Sequence, residues 1–328
     1  MSERHSQPLV SICVRTHDRP VPLREAIDSA LAQSFDDFEL IVSDDTGSAE
    51  PVVRSFRDHR VRYERAPDQG GPAITLRSGF RASRGSFLAI LDDDDLWHPD
   101  FLSTAVSRLR ADEAVGVVFT GVVQVVGGRK MRPRQLIPAG KHANFLPIAV
   151  RMPPAPSASV IRREVWDESE LTYPLAETGL GATTLWLGAA ASGWTFEHVA
   201  EPLVYYRRHN GQISGRWRSL EREIAVLERF RFDDPISERL RRDRLIAVRL
   251  RLAGIELRRR RWQGALAGLR RARADHGRQL RPRDWVVFSG IAEWGVRLCM
   301  RLPVLFAALR PLWHMTGSRL VMVRSPQR

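Results

Sequence analysis

The sequence predicts an α/β protein built on a mostly parallel sheet flanked by helices, followed by an Arg-rich α-helical C-terminal region. Three observations carry that prediction. Short apolar, β-branched runs alternate with segments whose apolar residues recur every three to four positions. The connections between them are short and rich in Gly, Pro and Asp. Two of the apolar runs end in carboxylates, Asp44-Asp45 and Asp92-Asp93-Asp94-Asp95, which puts both groups on the sheet edge where open α/β folds bind ligands.

Val10–Val14 reads as a buried strand, with polar Arg15–Arg19 after it. Pro20 and Pro22 open a helix that sets Leu23, Ala26, Ile27, Ala30 and Leu31 on one face. Phe38–Ser43 is a second strand running into Asp44 and Asp45, so strand, helix and strand form a βαβ unit. A helix over Pro51–Arg57, a short strand over Val61–Glu64 and a helix from Pro72 to about Ala82 follow. Phe87–Leu91 is the strand that delivers the four Asp residues, and a helix starts near Pro99. Val115–Thr120 and Val122–Val126 read as two strands, with Gly127-Gly128 as a turn before the basic stretch Arg129–Arg134. The Pro-rich stretch Pro147–Pro156 precedes a strand, Ser157–Arg162; Leu185–Ala191 reads as buried helix, and Phe196–Val199 and Pro202–Tyr206 as short strands. From Trp217 the pattern is helical, with amphipathic Leu240–Leu257 and Gln263–Arg273 joined by a basic turn.

A chain of 328 residues with 43% hydrophobic and 27% charged residues is a globular protein of one large or two ordinary domains, not a disordered or fibrous one. Cys13 and Cys299 make neither a disulfide framework nor a Cys-based metal site, and Met1–Pro8 is polar, so a cytoplasmic location is expected. The net charge of +13 is unevenly placed: Trp217–Arg328 holds 26 Arg against 11 acidic residues, which leaves residues 1–216 near neutrality. Such asymmetry suits an anionic partner, membrane phospholipid or nucleic acid, although only Lys130 and Lys141 are lysines and a general Arg bias gives the same count. Glu293, Arg297 and Arg301 share one stripe of the apolar segment Trp285–Leu309. Two readings stay open there: a helix lying in a membrane interface, peripheral at the inner face of the cell membrane, and a helix packed on the first domain or in an oligomer contact.

Four adjacent carboxylates repel one another, so a fold that holds them at a strand end needs a compensating cation. Hard oxygen ligands suit Mg²⁺ or Mn²⁺, which complete their shells with phosphate oxygens; a solvated acidic turn is the alternative.

These features together resemble the family 2 inverting glycosyltransferases of the GT-A, Rossmann-like fold. The resemblance rests on Val10–Pro20, Ile41–Ser48, Gly70-Gly71-Pro72 to Gly85, and Leu91–Pro99, and it extends over about residues 8–215. It implies a GT-A domain over 1–215, with a nucleotide-sugar half (about 8–112) and an acceptor half (about 113–215), and a separate basic helical region over 216–328. It implies a metal-dependent transfer of a sugar from a nucleoside-diphosphate sugar (UDP-, GDP- or dTDP-linked) to a hydroxyl acceptor, a glycan, a lipid-linked sugar or a metabolite, with no nucleic acid partner. By the same resemblance Asp94 and Asp92 hold Mn²⁺ or Mg²⁺, while Asp93 or Asp95 bonds ribose or sugar hydroxyls. Thr16, His17, Asp44 and Asp45 form the nucleoside socket, Arg77 contacts base or phosphate, and His209 lies near the diphosphate. The family's acidic pair before an apolar helix is missing: Gly181-Ala182-Thr183-Thr184 stands in its place. Glu177 is then the candidate general base, ahead of Asp167 and Glu168, and a protein that binds nucleotide sugar or a partner transferase without turnover is the competing expectation.

Overall fold

The computed structural model describes residues 7–67, 71–133, 137–151, 153–172, 181–209 and 217–276. The chain divides into two compact units, Met1–Gln212 and Ile213–Arg328.

The first unit is a mixed sheet with helices on its faces. β1 (Val10–Thr16) lies between β2 (Phe38–Asp44) and β4 (Phe87–Asp92), all parallel, and β3 (Val61–Arg65) extends the sheet beyond β2. Every residue of β2 is buried and β1 is nearly so, as continuous apolar runs between two helical layers require. α1 (Pro20–Leu31) starts on its prolines and buries Leu23, Ala26, Ile27 and Ala30, four of the five residues on its expected face. α2 (Glu50–Ser55) and α4 (Phe101–Ala111) contribute Val53, Phe101, Leu102 and Leu109 to the same core as α1. α3 (Gly71–Arg81) packs so tightly on β1 that a Cβ on Gly79 would stand 2.3 Å from Cys13 Sγ, which leaves room there only for glycine.

β9 (Ser159–Arg162) is antiparallel and short, bridging β4 and β6 (Val115–Val126) over only three rungs each. β4 and β6 therefore point the same way but are unbridged at their carboxyl ends, and the 3-10 turn Pro156–Ala158 fills that wedge. β10 (Thr195–Arg208) runs parallel to β6 along its whole length, with register irregularities around Pro202. The two pairs of short strands expected there are thus two long ones. Gly121 and Pro202, which read as breaks, face each other at the irregularity and are absorbed by it. β7 (Arg129–Lys130) folds back on β6 through Gly127 and Gly128, whose φ of +56° and +78° make the turn. β5 (Leu96–Trp97) follows β4 by a short turn yet pairs antiparallel with Val204 and Tyr205 of β10, so the sheet path curls back to where β4 ended. β8 (Gly140–His142), α5 (Leu146–Arg151), α6 (Arg163–Thr172) and α7 (Ala182–Ala191) complete the unit; of these, only α7 was anticipated.

The second unit is described over α8 (Trp217–Arg229), α9 (Pro235–Arg258) and α10 (Trp262–His276). Asp234 caps α9, accepting from Ser237 N at 2.8 Å, and Ala253, Leu257, Ala265 and Leu269 pack α9 on α10. The expected basic turn is Arg258–Arg261, where Arg260 takes a φ of +57°. Among the described residues no helix is long and apolar enough to cross a membrane, and the segment 285–309 lies outside them.

Candidate functional site

The parallel register of β1, β2 and β4 aligns Thr16 with Asp44 and Arg15 with Asp92 at the carboxyl edge of the sheet. The four Asp residues of the turn after β4 take different positions because each meets a different neighbour. Asp92, Asp94 and Asp95 each offer a carboxylate oxygen, and these oxygens lie within 4.8 Å of one another. Asp93 is turned inward and fully buried, taking a 2.7 Å hydrogen bond from Thr16 Oγ1. Arg19 Nη2 stands 2.6 Å from its other oxygen without an N–H aimed at it, so Oδ1 accepts no hydrogen bond. Burial pushes the Asp93 carboxyl up to about 7, against the lowering pull of Arg19 and Thr16.

Three arginines and one histidine offset the charge of the turn. Arg15 pairs with Asp92 through Nε at 2.8 Å. Asp94 Oδ2 accepts from Arg19 Nη1 at 2.7 Å and meets His209 Nε2 at 2.9 Å. Although burial raises Asp94, the His209 hydrogen bond and the Arg19 charge hold it below the usual carboxylate range. Asp95 is almost fully buried; burial and the neighbouring Asp92 charge push its carboxyl well up. Ser157 Oγ donates to it at 2.6 Å and Arg207 N at 3.1 Å, and the Arg207 guanidinium reaches Asp94 O. Ser157 also accepts from Asp92 N at 3.1 Å, and its carbonyl takes the Trp97 Nε1–H at 2.6 Å, so one hydroxyl in the wedge ties both ends of the acidic turn.

The residue set fits a divalent cation. Among the described residues Asp92 Oδ2 and Asp94 Oδ1 accept no hydrogen bond, which leaves each carboxylate one hard oxygen. Both side chains keep some exposure, 23% and 13%, whereas Asp93 has none.

Beside the turn, His17 Nδ1 lies 2.7 Å from Asp45 Oδ1, and Asp45 Oδ2 accepts from Gly71 N at 3.0 Å, linking the β1, β2 and α3 ends around an open imidazole that is 60% exposed. Asp44, the other acidic residue expected in the socket, lies at the end of β2. It is fully buried and accepts from Thr46 N, Thr46 Oγ1 and Ala49 N at 2.7–2.9 Å and from Tyr63 Oη at 3.3 Å, so it shapes the loop into α2. Those hydrogen bonds outweigh burial and hold its carboxyl low. Arg77 is paired with Glu170 of α6. Gly181 lies against the site, where an added Cβ would stand 3.3 Å from Arg15 Nη1, and residues 181–184 bring no carboxylate there. Glu177 falls outside the described residues; Asp167 and Glu168 are exposed on α6, with Glu168 accepting from Trp194 Nε1 at 2.8 Å.

Arg15, Arg19, Ser157 and Arg207 were not singled out from the sequence. Alternation along β1 and the Arg15–Arg19 spacing carried a signal for the first two; Ser157 carried none, since it acts by its place between β4 and β9.

Residues 11–169 match the model of Glycosyl transferase family 2. The chain is 37% identical over 119 residues, 34% of its length, to a Campylobacter jejuni protein named GalNAc(5)-diNAcBac-PP-undecaprenol beta-1,3-glucosyltransferase, of which that stretch is 37%. It spans less than half the length of the curated relatives it matches. In fold it is similar to S. aureus TarS 1-349 in complex with UDP-GlcNAc (TM-score 0.65, 15% identity, 89% of this chain and 91% of that one). A second fold likeness is to the mannosyltransferase PcManGT from Pyrobaculum calidifontis in complex with GDP-Man and Mn2+ (TM-score 0.51, 18% identity, 96% and 87%). The sheet with its acidic edge, the matched residues 11–169 and these likenesses agree: residues 11–169 match glycosyl transferase family 2, within a GT-A-like α/β fold.

Proposed function

We propose that the protein is an inverting glycosyltransferase, moving a sugar from a nucleoside-diphosphate sugar to a hydroxyl acceptor on a cell-envelope glycan or lipid-linked sugar. The observation that carries this is the gathering of Asp92, Asp94 and Asp95 within 4.8 Å at the carboxyl edge of the sheet. Asp92 and Asp94 are the residues to hold Mn²⁺ or Mg²⁺, which supplies charge neutralisation on the departing diphosphate. Arg19 and His209 orient the Asp94 carboxylate and keep it ionised, and Arg15 orients that of Asp92. Thr16, buried Asp93 and the pair His17–Asp45 wall the nucleoside side, and the exposed His17 ring offers a flat face to a base. Glu177 serves as the acceptor's base in this reading. A likeness to proteins solved with UDP-GlcNAc and GDP-Man supports the donor class. The Arg-rich second unit suits a protein working in the cytoplasm against an anionic membrane surface.

The test is a panel of UDP-, GDP- and dTDP-sugars with Mn²⁺, read by calorimetric binding and by transfer or hydrolysis, on the native chain and on D94N and E177Q. Binding and turnover lost in D94N support the assignment; binding by no nucleotide sugar would sink it. The absence of a carboxylate from residues 181–184 beside Arg15 favours one second reading, a protein that holds nucleotide sugar without turnover. Tight donor binding with no transfer and no hydrolysis would select it.

A further inference from the structure

One arginine at the acidic turn has hydrogen-bond donors to spare. Arg15 Nε and Nη2 both donate to Asp92 Oδ1, and Nη1 donates to Pro72 O at 3.4 Å, the long end of the hydrogen-bond range. Nη1 and Nη2 each carry a second N–H, and neither of these meets an acceptor among the described residues. Arg19 differs, because its terminal nitrogens face Asp94 at 2.7 Å and Asp93 at 2.6 Å. Arg207 is turned to Glu25 and to the Asp94 and Pro22 carbonyls. The place of Arg15 in the fold says what its unused donors face. Pro72 follows Gly71, whose N–H holds Asp45 on the nucleoside side, and Asp92 is the cation ligand proposed above. A nucleoside diphosphate with its base beside His17 and Asp45 and its phosphates at Asp92 and Asp94 therefore runs past Arg15. Gly181 keeps the approach open: a Cβ there would stand 3.3 Å from Nη1, and residues 182–184 bring no carboxylate to compete. The Arg15 side chain retains 12% exposure, and its planar fork of N–H groups matches phosphate oxygens.

We propose that Arg15 is a catalytic residue, its unused N–H groups taking an oxygen of the departing β-phosphate, so that the protein itself meets part of the leaving-group charge. The inference rests on the glycosyltransferase reading and adds a residue to that site. When the bond between the sugar C1 and the β-phosphate oxygen breaks, its electron pair stays on that oxygen. The acceptor oxygen bonds C1 and gives its proton to the base, Glu177 in that reading. The new charge then falls where donors already stand, held in place by Asp92 and Pro72. Calorimetric titration of the full chain in the presence of EDTA, with the mono- and diphosphates of uridine and guanosine, tests it. The native chain is expected to bind the diphosphate of its preferred nucleoside at least about tenfold more tightly than the monophosphate. That preference is expected to vanish in R15Q, whose amide still donates to Asp92, to return in part in R15K, and to persist in D94N. With donor and Mn²⁺ present, R15Q is expected to lower kcat more than it raises KM. Equal affinities for the native chain overturn the proposal, as does a preference kept in R15Q or one that R15K does not recover. Equal weakening of both nucleotides in R15Q, alongside lower Mn²⁺ affinity, also overturns it and leaves Arg15 only a positioning residue for Asp92. Nucleotide-sugar binding with Mn²⁺ but no metal-free preference sinks the Arg15 assignment alone. Binding of no nucleotide, with or without Mn²⁺, sinks the transferase reading and this inference with it.

Discussion

Replacing Ser157 by alanine removes one oxygen atom, and the structure says what that atom holds. Its hydroxyl donates to Asp95 at 2.6 Å and accepts from Asp92 N at 3.1 Å, in a residue with no exposed surface. The substitution leaves a buried backbone N–H and a buried carboxyl oxygen short of a partner, and each such loss costs about 1–3 kcal/mol. The Arg207 N–H bonds the other carboxyl oxygen, Oδ1, so Oδ2 loses its hydrogen bond outright and the full summed range applies, about 2–6 kcal/mol. Urea unfolding followed by Trp fluorescence measures it: the midpoint falls while the slope stays constant. The same change loosens both ends of the acidic turn, so Mn²⁺ affinity falls alongside stability. A loss below about 0.5 kcal/mol, the range of an unremarkable surface substitution, would refute the assignment of Ser157 as the tie between Asp92 and Asp95.

D94N should lower transfer on the order of a hundredfold and abolish the Mn²⁺ dependence of donor binding, checked by steady-state rates and calorimetry; an unchanged metal titration refutes the ligand assignment. G79A forces a Cβ against Cys13 Sγ and should cost about 1–3 kcal/mol in urea unfolding, with part recovered in C13A/G79A; an additive double variant contradicts the contact. Glu39, nearly buried, takes hydrogen bonds from Ser11 Oγ and Arg84 N, both at 2.7 Å, and although burial raises its carboxyl these bonds hold it below the usual glutamate range. Its folded value is therefore below its unfolded one, so the stability it contributes is complete above the free glutamate range of about 4.3 and is lost as pH falls through the folded value. E39Q should be less stable at neutral pH and lose stability less steeply on acidification, measured by urea midpoints against pH; parallel pH profiles would rule the linkage out.

The strands β1, β2 and β4, the helix α1 and the acidic edge were legible because each is written locally, in β-branched runs, prolines at a helix start and adjacent carboxylates. Position along the chain could not reveal direction. Asp44 and Asp45 look alike in sequence, yet one carboxylate faces the amides of Thr46 and Ala49 and the other faces His17 and Gly71. Asp93 differs from its neighbours only in meeting Thr16, which the β1–β4 register decides. Arg77 carried no sign of Glu170, 93 residues away, and Ser157 none of the wedge left by the short β9. Gly121 and Pro202 suggested strand ends for sound reasons, and long-range pairing of β6 with β10 outweighed them.

The route of the sheet from β4 through β9, β6 and β10 to β5 forms a ring that is joined covalently by the acidic turn and elsewhere by hydrogen bonds. The turn is thus the clasp of that ring: Arg15, Arg19 and His209 offset its carboxylates, and the same short piece of chain runs on into Leu96 and Trp97. Whatever neutralises the carboxylates also latches Leu96 and Trp97 onto Val204 and Tyr205, because the two events share one short piece of chain. By thermodynamic reciprocity the latch tightens the grip in return. A change at a distant rung of the ring, in a residue that touches no ligand, is therefore felt at the clasp as lost affinity.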